Sequence, residues 1–516
     1  MAVPTPEPLP MGLGVEIDRA VRFTDEGHVL VGGSPPHALR LPAEGVSSVI
    51  RWLSGARPDH HHERVLARIL VEAGLAHPRP RPTEPGAETQ VVLVGHGGDV
   101  DADALDATLV LLHTGHPGVR VLVVGVTGRA EEVALRHGAR VVRGPVEGAT
   151  ARAAGLRACD AEFVAFLDIG SEPGPGWVRA ALGHFVDPDV AAVVPRVLAA
   201  REPRGNLGMT VAALRASDAD RGLDPGSVLA STPLESFRAM VVRRGPTRSD
   251  PDLGAVAEAD PVWALAGRGR SIRYEPRSRV RTPMANGLGT YLRARWESGA
   301  AGAVSARRHG LRATGPRVCP TTLAAVALVA AGRPLTGLAV AAAGVAATAG
   351  ALRSGVALSP VDAVRPGFVE SAHTVRALVR EMRTTWWPVS AGVAAGSALA
   401  WARGRSPGDG SGQGRRAGHR ALAVAALLTV PHLASWRRRH GAAVVGPLGW
   451  TALSVAGDAA CAFGTWWGVL RSGSVAPLVP RPRPPVSTTS LVYRQVGGGS
   501  SASLRKSEST SVVSER

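Results

Sequence analysis

The pattern of apolar and polar positions is clearest in the middle of the chain, where short apolar segments alternate with stretches of helical spacing. The predicted strands are Val91–Gly95, Val119–Val126, Arg140–Val142 and Phe163–Asp168, and the predicted helices between them are Asp103–Thr114, Ala130–His137 and Ala149–Ala158. Strands that alternate with helices form βαβ units, in which the strands are parallel. The sequence therefore predicts an α/β fold, and we expect residues 89–310 to form this domain.

Residues 1–80 have a different pattern, two strands followed by two helices. The strands are Val21–Phe23 and His28–Val31, and the helices are Ala43–Leu53 and His60–Ala73. This order is typical of a winged-helix-like module, and it also resembles the peptide-recognition domains of ribosomal-peptide maturation systems. DNA binding is the alternative function for such a module. The unit carries mixed charge and shows no basic recognition helix, so we do not expect a nucleic acid as its partner.

The composition changes again beyond Thr321, where long Ala-rich apolar stretches begin. They are Thr321–Ala331, Leu335–Leu352, Val389–Trp401, Ala421–Trp436 and Gly441–Leu470. Tryptophans at 386–387 and arginines at 437–439 flank these stretches, and aromatic and basic residues mark membrane interfaces. We therefore predict a helical, membrane-associated region over 311–471, with a soluble Ala-rich helical domain as the alternative. The Pro-, Ser- and Gly-rich residues 472–516 are expected to be disordered.

Charge and cysteine content narrow the classes of partner and compartment. The chain of 516 residues carries a net charge of +17, almost all of it from arginine, and Lys506 is its only lysine. This balance favours anionic partners, but an aromatic content of 4% argues against a surface that stacks on nucleic-acid bases. Cys159, Cys319 and Cys461 have no metal or redox spacing, which fits a reducing compartment. The first residues lack the pattern of a signal peptide, so we expect the α/β domain to face the cytoplasm.

Asp168 is the acidic residue around which the candidate site is built. It ends the apolar strand Phe163–Asp168, and the segment Ile169–Trp177 that follows is rich in Gly and Pro. In open α/β sheets, ligands bind beyond the carboxyl ends of the strands. A carboxylate at that edge can hold a metal ion or contact a phosphorylated ligand, although it could also cap the following turn.

Several segments together resemble the family 2 glycosyltransferases with the GT-A fold, and among them the mycofactocin-system glycosyltransferases. The segments that carry the resemblance are Val91–Gly95, Gly148–Leu156, Phe163–Trp177, Ala257–Tyr274 and Asp458–Pro480. The resemblance implies that an Asp-x-Asp motif binds Mg²⁺ or Mn²⁺ together with the diphosphate of the donor. In this chain Asp168 matches the first Asp, and Gly170 stands in place of the second. Glu172 is the acidic residue that could substitute for it.

The resemblance also implies which residues bind the nucleotide-sugar donor. Val94 lies in the first predicted strand, Val91–Gly95, and Thr127 stands where the second strand of the family ends in Asp-Asp-Gly-Ser, here Gly125 to Gly128. Arg152 matches the arginine of the Gly-x-x-x-Arg-Asn-x-Gly helix start and is expected at the donor phosphates or the base, with a solvated helix charge as the alternative. Asp168 is expected to bind the donor and the metal ion.

The residues for the acceptor side follow from two further matches. In Ala257-Glu258-Ala259-Asp260, Glu258 takes the place of the Asp that deprotonates the acceptor, and Asp260 matches the second Asp of the family pattern. Arg295 and Trp296 partly match the Gln-x-x-Arg-Trp motif, and they are expected to bind product or acceptor unless they lie on an amphipathic, membrane-facing helix.

The activity that the resemblance implies is inverting transfer of glucose from UDP-glucose to a peptide-derived redox cofactor, mycofactocin, or to its precursor. The N-terminal module would recognise this acceptor, and the protein would lie at the cell membrane. Because Gly125, Gly170 and Glu258 depart from the family pattern, a catalytically degenerate binding protein of the same pathway is the alternative.

Overall fold

The computed structural model describes residues 6–33, 37–95, 100–144, 148–199, 211, 238–248, 250, 257, 260–282, 287–310, 316–403, 413–439, 445–483, 486–495 and 502–507. Its centre is an eight-stranded mixed sheet of strand order β10-β13-β11-β12-β9-β6-β7-β8. These strands are β6 (Thr89–Val94), β7 (Arg120–Val124), β8 (Arg140–Val142), β9 (Phe163–Asp168), β10 (Glu172–Pro173), β11 (Val190–Ala199), β12 (Met240–Arg243) and β13 (Ser271–Thr282). The predicted α/β fold is therefore confirmed.

Helices cover both faces of the central sheet, which explains why its inner strands β6 and β9 are apolar along most of their length. These helices are α3 (Ala102–Gly115), α4 (Arg129–Arg136), α5 (Gly148–Ala158), α6 (Trp177–Leu182) and α7 (Asp260–Gly267). On β6, Val91 and Leu93 face the core beneath α3, α4 and α6, while Val92 and Val94 face the core beneath α5 and α7. All four side chains are fully buried. The strands β6, β7, β8 and β9 are parallel, and β12 runs antiparallel to β9.

The N-terminal part contains the predicted strands and helices, arranged around a second core. Its elements are β1 (Gly14–Ile17), β2 (Arg22–Thr24), β3 (Val29–Gly32), β4 (His37–Arg40), α1 (Ala43–Leu53), α2 (His61–Glu72) and β5 (Ala76–Arg79). Strand β1 pairs with β5, and β2, β3 and β4 form an antiparallel sheet. The winged-helix-like character of this unit stays a prediction.

The C-terminal segment contributes two strands to this N-terminal sheet, β16 (Ser487–Gln495) and β17 (Ala502–Ser507). Strand β16 runs parallel to β4, and the sheet order is β17-β16-β4-β3-β2. Leu491 is 3% exposed and belongs to the N-terminal core. This finding differs from the predicted disorder of 472–516, because an available strand edge and one buried apolar residue order a segment that is otherwise polar.

A buried ion pair joins the N-terminal part to the central domain. Arg68 of α2 donates two hydrogen bonds to the carboxylate of Asp187, at 2.8 and 3.1 Å. Each side chain of the pair is 4% exposed. Arg273 of β13 lies close by and is fully buried, and burial lowers its pKa to about 10. This geometry fixes the N-terminal unit against the sheet rather than leaving it on a free linker.

A second buried charge cluster stabilises the irregular part of β13. Glu275 is fully buried and accepts hydrogen bonds from His184 at 2.9 Å and from Arg277 at 2.8 and 2.9 Å. The register between β11 and β13 shifts just after Glu275. Burial alone raises the pKa of Glu275, but the hydrogen bonds from His184 and Arg277 outweigh it and lower the pKa to about 2.

We expect this cluster to make stability dependent on pH in the acid range. A carboxyl group whose pKa is lowered on folding stabilises the native state above its unfolded pKa of 4.5 and loses that contribution as the pH falls toward about 2. The difference in unfolding free energy between wild type and Glu275→Gln is expected to shrink by about 3 kcal/mol between these pH values. Urea unfolding at a series of pH values measures it, and a difference that does not change with pH contradicts this assignment.

C-terminal to β13, helices account for most of the described residues. They are α8 (Leu288–His309), α9 (Pro320–Ala330), α10 (Pro334–Val356), α11 (Pro360–Thr384), α12 (Trp387–Arg403), α13 (Gln413–Arg439) and α14 (Pro447–Ser472). Two short strands, β14 (Arg317–Val318) and β15 (Arg481–Pro482), pair beside them. Within the described ranges, α10 is the one helix long and apolar enough to cross a membrane. The last residues of α10, including Leu352 and Val356, pack on the N-terminal sheet, so this end of the helix is buried in protein.

Helices α8 and α14 pack backbone against backbone, because small residues line their contact. A Cβ atom at Gly464 of α14 would overlap the carbonyl oxygen of Trp296, and one at Gly299 of α8 would overlap the carbonyl oxygen of Cys461. Such close approach is possible only where side chains are absent.

Replacing Gly464 with Val is therefore expected to force these helices apart and to destabilise the protein by about 1–3 kcal/mol or more. Thermal unfolding of the full chain measures the effect. Gly396→Val of α12, where a Cβ meets no neighbour, is the control for the helix propensity of Val. Equal effects of the two substitutions contradict a role for close packing at Gly464.

Candidate functional site

Strand register brings two of the predicted donor-binding residues together at one edge of the central sheet. Strand β6 lies between β7 and β9, and Val94 stands opposite Val124 on one side and Asp168 on the other. The backbone N–H of Ile169 donates to the carbonyl of Val94 at 2.9 Å. The side chain of Val94 is fully buried, so this residue positions the strand end through its backbone and its packing.

A β-turn follows Asp168 directly and explains the glycine at position 170. The backbone N–H of Ser171 donates to the carbonyl of Asp168 at 3.1 Å, and Gly170 has φ +81°. The third position of a turn with positive φ favours glycine over any residue with a side chain. The N–H of Gly170 also donates to the hydroxyl of Thr108 at 3.0 Å. Turn geometry therefore accounts for the residue that replaces the second carboxylate of the family pattern.

The carboxylate of Asp168 pairs with the guanidinium of Arg152, which lies in the N-terminal half of α5. Arg152 Nη2 donates to Asp168 Oδ1, and each side chain is 4% exposed. The same Nη2 atom lies 3.4 Å from the carbonyl oxygen of Arg238. The alternative interpretation of Arg152 as a solvated helix charge is therefore wrong, because a residue of the sheet edge neutralises it in the protein interior.

A narrow cleft lies beside Arg152, where α5, β9, β12 and the start of α7 meet. Its lining residues are Arg152, Leu156, Phe166, Met240, Val242, Thr247, Ala257 and Pro261. Most of these side chains are apolar, so the guanidinium acts in surroundings of low dielectric constant, which strengthen its interaction with an anion. Ala257 and Pro261 also bracket Glu258 in the sequence, and Glu258 itself lies outside the described residues.

Asp168 and its described neighbours do not form the ligand set that Mg²⁺ or Mn²⁺ needs. These cations take several oxygen ligands. Within the described ranges, no three His, Cys, Asp or Glu side chains are grouped to hold a metal ion. A divalent cation on Asp168 would also stand next to the positive charge of Arg152. The described residues therefore do not fit the metal site that the resemblance implies.

Two further residues predicted near the donor, Thr127 and Glu172, lie on other elements than Asp168. Thr127 is exposed in the turn between β7 and α4, three positions beyond the last residue of β7, at the same edge of the sheet. Glu172 lies in β10, opposite Arg281 of β13. Thr127 is thus placed where a ligand can reach it, whereas Glu172 belongs to the far edge strand of the sheet.

Asp260 is held by the guanidinium of Arg308 and the imidazole of His309 at the end of α8. It is 2% exposed, and it contacts Arg308 Nε at 2.9 Å and His309 Nε2 at 2.7 Å. Because Asp260 begins α7 and its partners end α8, these contacts also suit the dipoles of both helices. The arrangement anchors the start of α7, which lies two residues after Glu258 in the sequence. Sequence reasoning missed Arg308 and His309, which follow no pattern that links them to Asp260.

Arg295 and Trp296, the residues predicted for product or acceptor, lie on α8 in contact with the helical region. Arg295 Nη2 stands 3.4 Å from Asp458 Oδ1 of α14, and Trp296 is 38% exposed. Asp458 is also contacted by His432 at 2.9 Å and by Arg383 at 3.4 Å. The sequence signal for this cluster is that Asp458 interrupts an otherwise uncharged apolar stretch. The role of Arg295 and Trp296 toward product or acceptor stays a prediction.

Similarity to known proteins extends along nearly the whole chain. The pre-mycofactocin glycosyltransferase of Mycobacterium tuberculosis is 28% identical over 507 residues, which cover 92% of this chain and 99% of that protein. The same protein from a second strain gives the same match. No protein-family model matches the chain.

Solved structures match the chain over a smaller part of its length. Glucosyl-3-phosphoglycerate synthase from Mycobacterium tuberculosis, in complex with Mg²⁺ and UDP, is 19% identical with a TM-score of 0.30, over 44% of this chain and 85% of that one. A mannosyltransferase from Pyrobaculum calidifontis, in complex with GDP-Man and Mn²⁺, is 17% identical with a TM-score of 0.31, over 59% of this chain and 87% of that one. Through the relative that matches 92% of its length, the resemblance of this chain to the mycofactocin-system glycosyltransferases is confirmed.

Proposed function

We propose that this protein is a glycosyltransferase of the GT-A type that transfers glucose from UDP-glucose to pre-mycofactocin. The observation that carries the proposal is the sheet edge at Val94 and Asp168, beside a cleft lined by the buried cation Arg152. Ligands of open α/β sheets bind at such an edge. The name of the relative that covers 92% of the chain supports the acceptor.

In this proposal the donor lies across the carboxyl ends of β6, β7 and β9. The exposed turn at Thr127 contacts the nucleoside, and Arg152 contacts the diphosphate from within the cleft. Charge-assisted hydrogen bonds from a guanidinium to phosphate oxygens are strong and fix geometry. The aromatic ring of Trp296 and the cation of Arg295 remain proposed contacts for product or acceptor.

The proposed reaction is a single displacement at the anomeric carbon. The acceptor oxygen forms the new bond to that carbon while the bond from carbon to the diphosphate oxygen breaks, and UDP leaves with the electron pair. The proton of the acceptor hydroxyl passes to the carboxylate of Glu258. Attack opposite the leaving group inverts the anomeric centre. Asp260, held by Arg308 and His309, positions the segment that carries this base.

The surroundings of the acceptor are proposed from the remaining parts of the chain. The N-terminal unit, fixed to the central domain by Arg68 and Asp187, recognises the peptide-derived acceptor. The helical region associates with the cell membrane, since large apolar side chains such as Leu335, Leu338 and Phe368 are exposed on its helices. Arginines at 437 and 438 are exposed at the end of α13, and they favour a cytoplasmic position for that end and for the catalytic domain.

The test is direct transfer by the full chain in lipid vesicles. UDP-glucose and pre-mycofactocin are incubated with the protein, and mass spectrometry follows the acceptor. We expect a mass increase of one or more hexose residues, and an anomeric configuration opposite to that of the donor. GDP-mannose in place of UDP-glucose controls for donor choice. An acceptor that stays unmodified with either donor contradicts the proposed activity.

The second candidate function is binding without turnover. It is favoured by the ion pairs that hold Asp168 and Asp260, because both carboxylates are already engaged by cations of the protein. A binding protein would show affinity for pre-mycofactocin and no hexose transfer. Calorimetric titration with the acceptor, run beside the transfer assay, separates the two candidates.

A further inference from the structure

We infer that Arg152 supplies, within the protein itself, the positive charge that a divalent cation supplies in the family pattern, so that the donor binds without metal. This inference rests on the proposed function, since it concerns the diphosphate of the same donor. It starts from the disagreement between the predicted metal site and the described residues around Asp168.

Asp168, the carboxylate that remains of the metal motif, already has a positively charged partner in the protein. Asp168 and Arg152 form an ion pair in which each side chain is 4% exposed. A metal ion would have to compete with the guanidinium for the same carboxylate in surroundings of low dielectric constant, where charges of equal sign repel strongly. The pair therefore disfavours a divalent cation at the position that the family pattern gives to it.

Position 170, where the family pattern has its second metal ligand, is occupied by a turn glycine. Gly170 has φ +81° and occupies a turn whose N–H is held by Thr108. The backbone at this position favours glycine, so the turn is built without a second carboxylate. The substitution is therefore part of a coherent local structure.

The guanidinium of Arg152 also borders the narrow cleft, so a phosphate oxygen that reached this cleft would meet its positive charge. Arg152 lines the cleft together with Ala257 and Pro261, the residues on either side of the predicted base. A guanidinium has five N–H donors in one plane, so it can contact Asp168 and phosphate oxygens at the same time. In this arrangement Asp168 orients the guanidinium of Arg152 and partly neutralises its positive charge. Asp168 is therefore a positioning residue.

The experiment is calorimetric titration of the full chain with UDP, once with excess EDTA and once with excess Mn²⁺. The inference expects the same dissociation constant in both conditions, within about twofold. Binding that requires Mn²⁺ overturns the inference and leaves the proposed function standing. Absence of UDP binding in both conditions contradicts the proposed function as well.

Substitutions of Asp168 and Arg152 test the inference through the change in UDP affinity, which is measured separately from the stability of the protein. Asp168→Asn is expected to tighten UDP binding in EDTA roughly tenfold, because it removes a negative charge near the diphosphate. If Asp168 were a metal ligand, the same substitution would weaken binding, and that result overturns the inference. The double variant Arg152→Met with Asp168→Asn removes both charges of the ion pair, and it is expected to fold and to lose about ten- to hundredfold in affinity.

A matched control lies on the same helix. Arg157 of α5 is exposed, and Arg157→Met removes one positive charge without touching the cleft. UDP affinity is expected to stay within about twofold of wild type. A loss equal to that of the double variant would show that only the net charge of the helix matters, and it would overturn the assignment to Arg152.

Discussion

Replacing Glu258 with Gln is expected to lower the rate of sugar transfer by about 10²–10⁴-fold, the usual contribution of a general base. Glu258 stands in the sequence between Ala257 and Pro261, which line the cleft with Arg152. An amide cannot accept the proton of the acceptor hydroxyl, so the chemical step slows while donor binding continues. The measurement is the initial rate of hexose transfer at saturating UDP-glucose.

Two controls distinguish the loss of the base from the loss of the fold. Glu258→Asp restores the residue of the family pattern and is expected to keep most of the activity. The dissociation constant of UDP is expected to stay unchanged in Glu258→Gln, which separates a lost base from a lost fold. A transfer rate equal to that of wild type in Glu258→Gln contradicts the role of this residue as the base.

Replacing Arg68 with Met is expected to destabilise the protein by about 3–5 kcal/mol, because it leaves the carboxylate of Asp187 buried without its cation. The carboxylate is 4% exposed and loses both hydrogen bonds from the guanidinium. Urea unfolding of the full chain measures the effect. The N-terminal unit is expected to unfold first, since this pair fixes it to the central domain.

The matched control is an ion pair at the surface. Arg129 and Asp103 lie 2.8 Å apart, with side chains 73% and 76% exposed. Arg129→Met is therefore expected to cost at most about 1 kcal/mol. The double variant Arg68→Met with Asp187→Leu removes both buried charges and is expected to recover much of the stability. Equal losses in Arg68→Met and Arg129→Met contradict the docking role of Arg68.

Much of the central domain could be predicted from the sequence, because burial on both faces leaves a simple pattern. The predicted strands Phe163–Asp168 and Arg140–Val142 match β9 and β8 to the residue, and the helix predicted over Ala149–Ala158 begins one residue later than α5. The position of Asp168 at the end of its strand followed from the same pattern. These are local properties of the chain, and local patterns suffice for them.

Contacts between distant segments could not be predicted in the same way. No sequence pattern predicts that Arg152 pairs with Asp168, because the register of the sheet and the placement of α5 decide this contact. Strand β16 is formed from a largely polar segment that pairs with the edge strand β4, which lies far away in the sequence. The family pattern makes Asp260 a catalytic candidate, and its contacts with Arg308 and His309 are visible only in the folded structure.

In the helical region, the hydrophobic pattern of the sequence is compatible with two different structures. Apolar stretches rich in Ala fit a membrane span and a soluble helix bundle about equally, because Ala has little preference for either medium. At one end of α10 the structure shows burial in protein, because Leu352 and Val356 pack against the N-terminal sheet. Membrane association of the remaining helices is tested by flotation of the full chain with vesicles that contain anionic lipids.

The most direct test of the account is the structure of the full chain with UDP bound, determined in the presence of EDTA. We expect the diphosphate at the carboxyl ends of β6 and β9, with a phosphate oxygen within hydrogen-bond distance of the Arg152 guanidinium. A diphosphate bound away from Arg152, or bound there only when Mn²⁺ is supplied, would contradict this expectation.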